Sequence, residues 1–318
     1  MTNKKIVILG TGGTIAGTAA HAADHLGYTA AQVGIAQLVA GLPVAGHGCE
    51  LLSEQVAQVD SKDMDFTVWE ALAQRVSHWL AQPDVQGIVI THGTDTLEES
   101  AWFLQAALNP ARPVVLTCAM RPSTALAPDG PQNMLDAVAV ASHPGASGVV
   151  AVCAGVIHGA RDVQKVHTYR LDAFSSGDAG PIGYVEEGRL RLLRNWPEPL
   201  AEQGRVAMKK IASMAGAVAW PRVEIVLNHA GAGAAVVDAL VADGVRGLVV
   251  AGTGNGTLHY ALEAALLRAQ AGGVRVVRAT RCLEGRVLPG PRDVLPDSGG
   301  LSPVKARVAL MLSMLDQG

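Results

Sequence analysis

Lys5-Ile6-Val7-Ile8-Leu9-Gly10-Thr11-Gly12-Gly13-Thr14-Ile15-Ala16-Gly17 joins a short apolar run to a glycine-rich turn. Four consecutive apolar residues stopped by Gly10 read as a strand buried on both faces. Two nucleotide-binding readings of the turn are settled by spacing. A dinucleotide fingerprint starting at Gly10 needs glycine as its sixth residue, where Ile15 stands. A phosphate loop needs Gly-Lys before Ser or Thr, and that pair is absent. What remains is a flexible turn that presents hydroxyls at the C-terminal end of a strand. In open α/β sheets such turns line the ligand crevice. The plainer reading is a tight turn whose glycines supply positive φ.

The same alternation continues along the chain. Asp65–Leu80 places Val68, Trp69, Leu72, Val76, Trp79 and Leu80 at helical spacing. Strands are expected at Gly87–Thr91, Pro113–Thr117 and Val149–Cys153, with helices over Leu97–Leu108 and Pro131–Ser142. Continuous apolar strands alternating with helices predict a doubly wound, parallel-type sheet covered on both faces. The pattern breaks near Leu190, and Asn195-Trp196-Pro197-Glu198-Pro199 continues neither a helix nor a central strand. A second alternation follows: strands at Val223–Leu227, Gly247–Ala251 and Val274–Val277, helices at Ala234–Ala242, Leu258–Ala271 and Pro303–Leu315. The expected organisation is a larger N-terminal α/β domain over 1–190, a linker over 191–221 and a smaller C-terminal α/β domain over 222–318.

Composition narrows the function. The 318 residues are 49% hydrophobic and 17% charged, which excludes a disordered chain. A net charge of -3 does not suit a nucleic-acid binder or a polybasic membrane surface. Cys49, Cys118, Cys153 and Cys282 are scattered without zinc spacing, so neither a metal cluster nor a disulfide framework is indicated. No apolar run approaches the roughly 18 residues of a membrane span. Lys4-Lys5 and Ala20-His21-Ala22 mimic the ends of a secretory signal. The intervening apolar run is far short of the roughly 7–15 residues such a signal needs, so a cytoplasmic protein is expected.

Thr91-His92-Gly93-Thr94-Asp95-Thr96 follows the strand Gly87–Thr91 and opens the helix that starts at Leu97. A capping box, with Thr96 as N-cap and Glu99 at the third helical position, explains two of these residues. It does not explain Thr94-Asp95. Two threonine-bearing turns at equivalent strand ends suggest two walls of one crevice.

With these two turns on view, the sequence resembles the bacterial-type L-asparaginases and glutaminase-asparaginases. Further stretches match in order: Val59-Asp60-Ser61-Lys62-Asp63-Met64, Ala119-Met120-Arg121-Pro122, Asp129-Gly130-Pro131-Gln132-Asn133 and Gly159-Ala160-Arg161-Asp162-Val163-Gln164-Lys165. Gly252-Thr253-Gly254-Asn255-Gly256 and Pro303-Val304-Lys305-Ala306-Arg307 complete the set, so the likeness covers nearly the whole chain. It implies two α/β domains, a homotetramer built from two intimate dimers, hydrolysis of L-asparagine to L-aspartate and ammonia, no cofactor and no metal.

The resemblance also implies roles. Thr14 is the nucleophile, and Tyr28 stands on a flexible loop between Thr18 and Gln32 that closes over substrate. Thr94, Asp95 and Lys165 form the second polar set, with the Asp95–Lys165 pair orienting Thr94 and moving protons. Ser61 holds the substrate α-carboxylate, Asp95 its α-ammonium, and backbone groups at Ala119 meet the side-chain amide. Asn255 reaches into a neighbouring subunit's site.

Two positions depart from the family pattern. Lys62 stands where many members carry glutamine, and it would repel the substrate ammonium unless it turns away or pairs with Asp63. No acidic residue of the C-terminal domain aligns with the glutamate that completes the neighbouring site in secreted members; neither Glu284 nor Asp293 is assigned that role. Glutamine tolerance is therefore open. Two rivals share the fold. An amidotransferase subunit carries an extra N-terminal domain, for which a first signature at Gly10 leaves no room. A non-catalytic amino-acid sensor would have no need of both hydroxyls and the Asp95–Lys165 pair.

Overall fold

The computed structural model describes residues 4–42, 49–198, 220–291 and 293–315. The chain divides into two compact units, Met1–Ala201 and Glu202–Gly318.

The first unit is built on an eight-stranded sheet. Its strands are β1 (Lys5–Gly12), β2 (Glu50–Val59), β3 (Val85–Thr91), β4 (Val114–Thr117), β5 (Val149–Cys153), β6 (Val156–Gly159), β9 (Gly183–Glu186) and β10 (Arg189–Leu192). A separate hairpin, β7 (Gln164–Lys165) with β8 (Phe174–Ser175), lies between β6 and β9 in sequence. The sheet order is β10-β9-β6-β5-β4-β3-β1-β2. β2, β1, β3, β4 and β5 run parallel, and β6, β9 and β10 extend the sheet antiparallel.

The inner parallel strands β1, β3, β4 and β5 are mostly apolar and buried because both faces are covered. Helices α1 (Ile35–Ala40) and α4 (Gly130–Ser142) pack on the face that holds Ile6, Ile8, Val89, Val115 and Val150. Helices α2 (Phe66–Leu80) and α3 (Leu97–Leu108) pack against each other and the sheet, with Trp69 stacked on Phe103 at 4.8 Å between ring centres. Asp65 caps α2 by accepting from Val68 N at 2.9 Å, and Trp69, Leu72, Ala73 and Val76 form its buried stripe.

Several features differ from the sequence reading. β2 escapes the pattern because Glu50, Ser53, Glu54 and Gln55 interrupt its apolar residues; it is a half-exposed edge strand. β10 runs past Leu190, and Trp196 packs against the first unit's core, so residues expected in the linker belong to this unit. The rest of that expected linker, 199–219, lies outside the described residues.

The second unit has a three-stranded parallel sheet, β11 (Val223–Leu227), β12 (Gly247–Gly252) and β13 (Arg275–Thr280), in that order. Helices α5 (Ala235–Ala242) and α6 (Tyr260–Ala271) bury Val237, Leu262, Ala265 and Leu266 against Val226, Leu248, Val250 and Val276. Helix α7 (Pro303–Leu315) packs on the same three strands. A larger mostly parallel domain followed by a smaller α/β domain is the class expected from the alternation.

Candidate active site

The order of the five parallel strands, 2-1-3-4-5, reverses direction between β1 and β3. Ligand crevices form at the carboxyl ends of strands at such a switch point. The two threonine-bearing turns leave these two strands there. Thr11 Oγ1 donates to Thr91 O at 2.8 Å and ties the strand ends together.

The turns meet backbone to backbone. Gly13 has φ 79°, and a Cβ placed on it would collide with Gly93; a Cβ on Gly93 would collide with the Ser61 side chain. Only glycine permits this approach and this backbone angle. Three hydroxyl-bearing segments, ending at Thr14, Ser61 and Thr94, are drawn together this way.

Thr14 starts a short helical turn and is buried. Its Oγ1 lies 2.7 Å from Tyr28 Oη. Thr18 and Thr29 exchange backbone hydrogen bonds of 2.9 Å and pinch the Tyr28 loop at its base. Ala19 N donates to Thr124 Oγ1 at 2.8 Å, and Leu126 N to Ala22 O at 3.1 Å, which seats the loop on residues 124–126.

Lys165 lies on β7. Its Nζ is 2.7 Å from Thr94 Oγ1 and 2.6 Å from Asp95 Oδ1. The Lys165 side chain is 19% exposed and that of Asp95 51%, so the ion pair has one half-buried and one open end. Asp95 N donates to Ser61 Oγ at 3.1 Å, and Thr96 Oγ1 donates to Ser61 O at 2.8 Å. Thr96 therefore spends its hydroxyl on Ser61 and makes no side-chain cap of α3, which corrects the capping-box reading.

Behind this turn His92 is fully buried, and burial pushes its imidazole down to about 4, against a smaller upward pull from Gly93. A neutral ring fixes every donor around it. Gly93 O can only accept, so Nδ1, 2.7 Å away, carries the proton. Nε2 then accepts from Ser100 Oγ at 2.9 Å, and Ser100 Oγ accepts from Trp69 Nε1 at 2.8 Å. This chain anchors the Thr94-Asp95 turn to α2 and α3. Residues separated by 8 and 31 positions leave no periodic signal, so sequence reasoning missed it.

Lys62 pairs with Asp63, and both side chains are exposed, at 60% and 66%. That partner is the main reason its ammonium pKa is raised. Ala119 is buried just beyond β4. Asn255 lies in the second unit, where its Nδ2 donates to Leu288 O at 3.0 Å and its Oδ1 accepts from Leu288 N at 2.7 Å. Asp293 is held by Arg278, Nη1 to Oδ1 at 3.0 Å, which lowers its carboxyl pKa, while Glu284 is exposed. Cys118 and Cys153, scattered in sequence, meet at adjacent strand ends with sulfurs 3.2 Å apart; all four cysteines are free thiols. Among the described residues no three His, Cys, Asp or Glu side chains converge as a metal-binding group.

The family model for the asparaginase N-terminal domain matches residues 5–198, and that for the glutaminase/asparaginase C-terminal domain matches 222–317. The chain belongs to the asparaginase family. Among similar family members, L-asparaginase 2 of Bacillus subtilis (strain 168) is 37% identical over 97% of this chain and 82% of its own length. L-asparaginase 2 of Escherichia coli (strain K12) is 36% identical, covering 97% and 88%. The glutaminase-asparaginase of Pseudomonas fluorescens biotype A is 35% identical, covering 97% and 86%. Among solved structures in the family, a probable cytoplasmic L-asparaginase from Campylobacter jejuni matches with a TM-score of 0.90 and 34% identity, over 99% of this chain and 98% of that one.

Proposed function

We propose that this protein is an L-asparagine amidohydrolase that works through a threonyl ester, without a cofactor. The observation that carries the reading is a pair of hydroxyls on two turns that meet, each hydrogen-bonded to a polar partner: Thr14 to Tyr28, and Thr94 to Lys165, which also holds Asp95. A threonine hydroxyl needs a partner to take its proton before it attacks.

Thr14 Oγ attacks the carbon of the side-chain amide, and its proton leaves along the hydrogen bond to Tyr28. That proton is delivered to the leaving nitrogen. The C–N bond breaks, ammonia departs, and an ester of Thr14 remains. Water then attacks the ester carbonyl, aided by Thr94, Lys165 and Asp95. The water proton returns to Thr14 as the ester bond breaks and L-aspartate leaves.

Substrate grip follows from the donors left over. Ser61 Oγ accepts from Asp95 N, so its own proton is free for an α-carboxylate. The open end of Asp95 takes the α-ammonium. Lys62, drawn aside by Asp63, leaves that ammonium unopposed. Backbone groups at Ala119 face the amide. L-Glutamine, one methylene longer, is a poorer substrate by about 1–3 kcal/mol in transition-state binding. The glutaminase-asparaginase names among the relatives support this second activity.

Residues 1–190 supply this set and 222–318 supply Asn255 to a neighbouring copy, in a homotetramer made of two intimate dimers. A cytoplasmic location is supported by the similar structure of a probable cytoplasmic L-asparaginase from Campylobacter jejuni. No described helix is long and apolar enough to cross a membrane. Ammonia release from L-asparagine and L-glutamine by the purified protein tests the reading. Faster release from asparagine is expected; binding without ammonia release would make the protein a sensor instead.

A further inference from the structure

Asp129 is the N-cap residue of α4, yet its side chain accepts from no backbone N–H of that helix; within the helix it meets the Asn133 side chain, whose Nδ2 donates to Oδ2 at 3.3 Å. An aspartate cap ordinarily accepts from the second or third helical N–H. Here the second helical residue is Pro131, which has none to give. The Asp129 carboxylate turns instead to a different segment. Its Oδ2 accepts from Met120 N at 2.9 Å and its Oδ1 from Arg121 N at 3.0 Å. One helical turn later Asn133 Nδ2 donates to Cys118 O at 2.9 Å, and its Oδ1 accepts from Ala154 N at 3.0 Å.

These bonds bracket Ala119. In a trans peptide the C=O and N–H point in opposite directions. Asn133 draws Cys118 C=O toward the start of α4, so the N–H of the same peptide, that of Ala119, points away. Asp129 draws Met120 N–H toward the same helix start, so Ala119 C=O also points away. Neither Ala119 group has a hydrogen-bond partner among the described residues. Ala119 is close to the nucleophile's turn: a Cβ on Gly130 would press on Ile15 and stand 3.5 Å from Ala119 Cβ. The Cys118 thiol is raised chiefly by Cys153 and by burial, and the charge of Lys165 reaches it and opposes that rise.

We propose that Asp129 and Asn133 are positioning residues that aim the N–H and C=O of Ala119 together into the crevice, where they read a primary carboxamide. The C=O accepts from the amide NH2 and the N–H donates to the amide oxygen. The pair therefore selects for amides over esters, whose leaving oxygen has no hydrogen to donate. This rests on the amidohydrolase reading above.

The test compares L-asparagine with the β-methyl ester of L-aspartate in wild type, Asn133→Ala and Asp129→Asn. The first variant frees Cys118 C=O; the second keeps the side-chain size but replaces one acceptor with a donor. Melting curves are recorded beside the kinetics. In each variant kcat/KM for asparagine should fall at least tenfold more than kcat/KM for the ester, with most of the loss in kcat. An equal fall for both substrates, or a variant that no longer folds at 25 °C, would place these residues in the scaffold and overturn the proposal. Wild type that hydrolyses neither substrate would strike the amidohydrolase reading itself, a separate outcome.

Discussion

Lys165 Nζ lies 2.7 Å from Thr94 Oγ1, across 71 residues of sequence, and the same nitrogen holds Asp95 at 2.6 Å. The ammonium touches a hydroxyl and a carboxylate at once, which couples the charge of the pair to the hydroxyl. A positioned acid–base group of this kind contributes about 10²–10⁴ in rate. Lys165→Met, which keeps the stem and removes the donors, should lower kcat for asparagine by that range. A loss under fivefold would make the pair structural.

His92 sets an acid limit on stability. Its folded pKa of about 4 lies below the ordinary 6.5, so the unfolded chain binds more protons between those values. Stability from this group is fully present above about pH 6.5 and is lost as pH falls toward 4. The full loss is about 3 kcal/mol. Urea unfolding of wild type and His92→Gln at pH 7 and pH 4.5 measures it. The variant, less stable at pH 7, should lose about 2 kcal/mol less than wild type on acidification. Equal losses would contradict a buried neutral imidazole.

Lys62 stands beside Ser61 but pairs with Asp63 in an exposed position. Exposed pairs couple weakly to their surroundings. Lys62→Gln should change KM for asparagine by less than about twofold. A tenfold fall in KM would show that the ammonium faces the substrate.

How legible each feature was depends on what burial does to sequence. The parallel strands could be read because a strand covered on both faces is apolar throughout, as Ile6 to Leu9 and Ile88 to Ile90 are. Edge strands lack that constraint. β2 carries glutamate and glutamine, and Arg189-Leu190-Arg191-Leu192 forms β10 at the opposite edge. The two threonine turns could be placed at one crevice by strand logic, but roles for Tyr28, Ser61 and Lys165 came only through family likeness. Local rules also misled where a side chain had a distant partner. Thr96 reads as a cap of the adjacent helix and is bonded to Ser61.

The proposal that each site is built from two subunits can be tested without a structure of the assembly. On that proposal Asn255→Ala should be weakly active, since Asn255 holds Leu288 by two hydrogen bonds and so fixes its own turn. Refolding it together with Thr14→Ala makes about half of the dimers mixed, and each mixed dimer has one site free of both lesions. About a quarter of full activity should return. No recovery would confine the site to single subunits.

The central claim is that Thr14 carries the acyl group. Removing an essential nucleophile costs the chemical step far more than binding. Steady-state ammonia release from L-asparagine by Thr14→Ala measures this most directly. The account predicts a kcat at least about a thousandfold below wild type, roughly 4 kcal/mol, in a protein that still folds and binds asparagine. A variant that kept more than about a tenth of wild-type kcat would contradict it.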